Sequence, residues 1–152
     1  MPEIRKKMTK KKALAIILAV AAVLLVLIAL RSVKPGEPSY DLSTLEGREA
    51  FLLDMGWQID KDSEAFRSVT VPDKLEGIML QYNKMQQAQG YDLSAHLGER
   101  CQQYTYTLTN YADSDGAVLV TLYIQDKTLI AADIHTSSSN GFMHGLKRNE
   151  AG

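Results

Sequence analysis

Asp133 and His135 stand two apart in "TLIAADIHT", and His144 follows nine residues later, past "TSSSNGFM". On a strand, residues two apart point the same way. One carboxylate and two imidazoles are a donor set that zinc or non-haem iron accepts, and such a metal would activate water for hydrolysis. The spacing alone is unspecific. No His-x-Glu or His-Glu-x-x-His pattern supports it, and a loop would have to deliver the third donor. The same stretch also reads as a strand end, a polar turn and a closing segment. On that reading Asp133 accepts backbone N–H bonds from "TSSSNG", as Asp commonly does in turns, and Phe142, Met143 and Leu146 dock on the domain. The structural reading is adopted. No catalytic residue, metal ligand or cofactor is assigned, and a metal-assisted hydrolase using Asp133, His135 and His144 stands as the alternative.

Other chemistries have less behind them. Ser137, Ser138 and Ser139 lie in no Gly-x-Ser-x-Gly elbow. Neither glycine-rich stretch resembles a phosphate loop. Cys101 is the sole cysteine, which excludes an intramolecular disulfide and a cysteine-based zinc site. It is expected as a small strand residue. Tyr82, Tyr91, Tyr104, Tyr106, Tyr111 and Tyr123 crowd the middle of the chain. Tyrosine suits recognition surfaces, but it is also an ordinary strand residue. The candidate binding positions are therefore Tyr82, Asn83, Gln86, Tyr104, Tyr106, Asp133, His135 and His144, for a protein or peptide partner.

The elements that position these residues follow from periodicity. "STLEGREAFLLDMG" predicts a helix with Ser43 and Glu46 as a capping box and Gly56 as its stop; Leu45, Leu52 and Met55 share a face. "WQID" and "FRSVTV" predict two short strands around a "KDSEA" turn. Trp57, at the head of the first, is expected to seal the helix on the sheet. "DKLEGIMLQYNKMQQAQG" predicts a second helix, capped by Asp73 and Glu76. Leu75, Ile78, Met79, Tyr82 and Met85 lie on one arc, with Gln86 among them. A buried Gln needs partners, so Gln86 is expected to staple backbone groups. A short connector follows, and then three strands in a meander. On the first, Tyr104, Tyr106 and Leu108 share a face. The last two strands, apolar on both faces, are joined at "DK". A two-residue loop would set Asp133 and His135 beside Val120 and Val118, whereas a three-residue loop would flip the register. The fold class is thus α+β, with two helices packed on an antiparallel sheet of about five strands that ends in a three-strand meander.

In front of this domain, residues 13–30 contain no polar residue. As a helix they would extend about 27 Å, near the thickness of a bilayer core. The run exceeds the apolar core of a cleaved signal, and its Ala-x-Ala lies in mid-run, so an uncleaved anchor is expected. Six of the seventeen bases and one of the eighteen acids fall in residues 1–12. That leaves eleven bases and seventeen acids for residues 31–152, a net charge of −6. Positive-inside topology then keeps the basic tail, 1–12, in the cytoplasm and sends the domain out. The acidic exterior argues against nucleic acid as a partner. Residues 31–41, with Pro35, Gly36 and Pro38, read as a linker of at most about 40 Å. The domain is placed at 42–148, with 149–152 as a tail.

"REAFLLDMGWQID", "YNKMQQAQGYDLSAHLGE", "YTYTLTNY" and "GFMHGL" together resemble a family of uncharacterised exported domains of Gram-positive bacteria. The resemblance covers about residues 44–147. It is carried by Gly56–Trp57, Tyr82–Asn83, Gly90 to Leu93, Tyr104 to Tyr106, and Gly141 to Gly145. It implies a membrane segment followed by one domain, and it implies no activity. Where such chains often have Gly-Gly-Asp, this one has Ala131, Ala132 and Asp133, which argues against a glycine-lined pocket there. The expected function is a membrane-tethered, non-catalytic binding or regulatory module of the bacterial envelope. Besides the hydrolase, a tethered inhibitor or modulator of an envelope enzyme is the other alternative.

Overall fold

The structure, a computed structural model, describes residues 9–32, 39–112, 114–138 and 140–147, without the side chains of 28–32. The basic tail up to residue 8, most of the linker and the last five residues lie outside the described residues. Helix α1, Lys10–Ser32, belongs to one compact unit, and the chain from Tyr40 onward forms another. Leu14, Ile17, Leu18 and Leu25 are exposed on α1. Among the described residues no helix is long and apolar enough to cross a membrane. The expected anchor, residues 13–30, lies partly outside the described side chains and finds no support among the described residues.

The second unit is α+β: a five-stranded antiparallel sheet in the order β1-β2-β3-β4-β5, every connection going to the neighbouring strand. Helix α2, Leu45–Asp54, starts one residue later than the capping box predicts. Thr44 Oγ1 accepts the Gly47 N–H at 3.0 Å, while Ser43 is held in a turn by Asp41. The helix ends as expected, at Gly56. Trp57 N–H returns to Leu52 O and Gly56 N–H to Leu53 O, with Gly56 at φ +86°. That pair of bonds needs a residue that tolerates the left-handed region.

The two predicted short strands form one, β1, Ile59–Thr70. "KDSEA" is not a turn but an irregular stretch between Asp60 and Ala65. There Ser63 Oγ accepts the Thr107 N–H at 2.8 Å, so a side chain replaces the missing ladder bond. Helix α3, Ile78–Ala88, starts four residues later than predicted. Gly77 precedes it at φ +55°, a conformation that cannot continue an α-helix, so Asp73 and Glu76 cap nothing. A 3-10 turn, Leu93–His96, leads into β2, Arg100–Leu108.

Strands β3, Val118–Gln125, and β4, Thr128–Thr136, are joined by Asp126 and Lys127, both at positive φ, as a tight two-residue hairpin requires. The register then shifts between Tyr123 and Ile124. Ile130 is the extra residue, and it places Asp133 opposite Thr121 and His135 opposite Leu119. Of the two loop lengths left open, the two-residue loop is present, but the bulge cancels the pairing it implied. Strand β5, Met143–His144, is the fifth strand in place of the split β1.

Each face of the sheet has its own core. Tyr106, Val120, Leu122 and Ile134 pack with Leu52 of α2 and Trp57 on one face. Val71, Leu93, Cys101, Ile130 and Ala131 pack with Met79 and Tyr82 of α3 on the other. Trp57 is buried, with Nε1–H donating to Leu146 O at 2.7 Å, as its sealing role requires. Of the closing segment only Leu146 is buried; Phe142 and Met143 are exposed. Phe142 instead stacks on Tyr111 and His144.

Candidate functional site

The α3 face of the sheet carries a cleft of about 530 Å³, a size ordinary for small-ligand sites. Alternation builds its floor. Cys101 and Gln103 of β2, Thr121 and Tyr123 of β3, and Asp133 and His135 of β4 all point into it. Val71, Pro72, Ile78, Met79, Leu93 and Met143 supply apolar walls.

A polar chain crosses this floor. His135 Nδ1 lies 2.7 Å from Asp133 Oδ1, and Tyr82 O–H donates to Asp133 Oδ2 at 2.7 Å. Tyr82 meets Tyr123 edge to face, and Gln103 Nε2 donates to the Tyr123 hydroxyl at 3.0 Å. Arg67 Nε donates to Gln103 Oε1. Asp133 is 2 % exposed, so its two bonds do what water does for a surface carboxylate. The hydrogen bond to Asp133 raises the His135 pKa above the usual imidazole value, with burial opposing it. Burial, reinforced by Asp133, pushes the Tyr82 phenol far above its normal range. Tyr123 is raised by burial as well.

Asp133 thus bonds a tyrosine and a histidine, not the "TSSSNG" backbone. His144 is not with it. The pairs Ile134–His144 and His135–Met143 put His144 on the face of Ile134, opposite the face of Asp133 and His135. There His144 Nε2 lies 2.9 Å from the Tyr111 hydroxyl. Among the described residues no cluster of three His, Cys, Asp or Glu could hold a metal. Likewise no described Ser, Thr or Cys hydrogen-bonds His135. Cys101 is buried, and its thiol pKa is raised by that burial, the reverse of an activated nucleophile.

The other candidates are structural. Gln86 is fully buried. Its Oε1 accepts Ala132 N–H at 2.9 Å and its Nε2 donates to Ala132 O at 3.0 Å. Strand β5 reaches only Ile134 and His135, so Gln86 stands where the next strand would be. Gln89 extends the join to Leu146 N–H. Asn83 ties α3 to the 3-10 turn through Asp92 and Leu93 N–H. Tyr104 and Tyr106 lie on the α2 face, away from the cleft. Arg48 lies 3.6 Å over the Tyr104 ring and donates to the Tyr106 hydroxyl, which in turn donates to Glu64 at 2.5 Å. Burial and the Glu64 bond raise the Tyr106 pKa. Of the eight candidates, the cleft therefore gathers Tyr82, Asp133 and His135. It adds Tyr123, named above only within the tyrosine group, and Arg67 and Gln103, which were not among the candidates. The signal for Gln103 is the alternate face of β2, Cys101-Gln103-Thr105, opposite its tyrosine face. No family model, curated protein or solved structure matches the chain.

Proposed function

We propose that the protein is a membrane-tethered, non-catalytic binding module of the bacterial envelope, and that the α3-face cleft is its binding site. The observation that carries the reading is the floor of that cleft. Polar side chains there are fixed by one another beneath apolar walls, and the outer edge of His135 is uncommitted among the described residues. A rigid polar floor under an apolar wall is how small-ligand sites set orientation. A His–Asp pair to which no described Ser, Thr or Cys hydrogen-bonds through His135, with His144 on the far face, favours binding over hydrolysis.

The tether rests on the full apolar run 13–30 and the six bases before it, within a helix whose backbone continues to Ser32. The resemblance to exported Gram-positive domains is the setting for this reading. Two measurements test it together. External protease on intact cells should remove the domain and leave a membrane-held fragment that begins near Met1. Native mass spectrometry of protein drawn from its own membranes should show a bound mass that is lost when Ile78→Asp charges the wall. A mature chain that starts after the apolar run would reject the tether. An identical bare mass for both forms would reject the site.

A further inference from the structure

We infer that the cleft takes a single-chain carboxylic acid, its carboxylate on His135 and its chain along the wall towards Leu93; this deepens the binding reading given above. The walls select the chain. Val71, Pro72, Ile78, Met79, Leu93 and Met143 are aliphatic or thioether side chains, and Ile78, on the lip, is 83 % exposed. Peptide is disfavoured by what the floor lacks. The cleft lies on a sheet face whose backbone groups are spent in the ladder, and Gln103, Thr121, Tyr82 and Asp133 already bond neighbouring side chains. A peptide laid there would strand its own amides, each at a cost, whereas a saturated chain has none to satisfy.

The head group follows from charge. The cleft has two basic side chains, Arg67 and His135, and one carboxylate, Asp133, which is already paired with His135. The register places Arg67 level with Ala131, across three strand spacings, and His135 four residues beyond it. That separates their backbones by roughly 19 Å, and the Arg67 guanidinium is already turned to Gln103 Oε1. Arg67 is exposed and engaged with Gln103, whereas the His135 side chain is 26 % exposed and backed by buried Asp133. A sheltered pair gains more than an exposed one. The net charge of −6 on residues 31–152 opposes a polyanion, so one carboxylate fits better than a phosphorylated head.

The test uses the full chain in phospholipid nanodiscs and a diazirine derivative of lauric acid, with labelled peptides read by mass spectrometry. Label should appear on peptides carrying Met79, Leu93 or Met143. Excess laurate should compete, and dodecanol should not. His135→Gln and Ile78→Asp should each reduce cleft labelling by about tenfold, the factor that follows from losing one modest contact. Label in residues 13–30 reports the tether separately. A labelled apolar run with an unlabelled cleft overturns the acid and leaves the tether standing. A labelled cleft with an unlabelled run does the opposite. Cleft labelling undiminished in both variants, or competed equally by dodecanol, also overturns the proposal.

Discussion

At the scale of single residues, Asp133 is the pivot. Its carboxylate is buried, and both oxygens are used, one by Tyr82 and one by His135. The pair with Asp133 raises the His135 pKa in the folded state. The sign of the linkage follows. The stability this pair contributes is fully present below the unfolded imidazole value of about 6.5 and is lost as pH rises through the raised folded value. His135→Gln should therefore destabilise the domain more at pH 5.5 than at pH 8.5, as urea unfolding at the two values would show. Asp133→Asn should lower the His135 pKa followed by NMR. An unchanged titration would mean the pair does not form in solution.

At the scale of elements, the edge of β4 is the weakest join in the sheet, because β5 spans two residues. Gln86 and Gln89 cover the gap beside Ala132. Gln86→Ala should strand the Ala132 N–H and cost about 1–3 kcal/mol, the usual penalty for a buried group without a partner. Hydrogen exchange at Ala132 should accelerate out of proportion to the rest of β4. A small stability loss with unchanged exchange there would show that water replaces the amide. The bulge at Ile130 acts at this same scale. It turns both Ile130 and Ala131 to the α3 face and carries Asp133 and His135 with them.

At the scale of the whole domain, the first helix after Tyr40 must be tied to the closing segment. Trp57 stands just after α2, and its indole N–H reaches Leu146 O, while its ring stacks on Tyr111 at 5.6 Å. The Tyr111 ring continues to Phe142, which stacks on His144. One buried aromatic therefore joins α2, the β2–β3 connection and the closing segment. Trp57→Ala should cost about 3–5 kcal/mol, a large share of the roughly 5–15 kcal/mol typical of such domains. A chemical-denaturation midpoint within error of the parent would refute that role.

The sequence by itself determined the features written in local chemistry. The α+β class, the Gly56 stop, the shared face of Tyr104, Tyr106 and Leu108 and the stapling role of Gln86 all follow from period, turn propensity or the need of a buried amide for partners. The apolar run and its flanking charge were equally plain in composition. Tertiary structure alone decided the site. His144 lies on the opposite face from His135 because strand pairing sets Ile134 against it, and no spacing along the chain reveals that. Tyr82 meets Asp133 across fifty-one residues because α3 packs on that face. The face of Asp133 itself depends on one unpaired residue, Ile130, since a single-residue shift turns every later side chain of a strand to the other side.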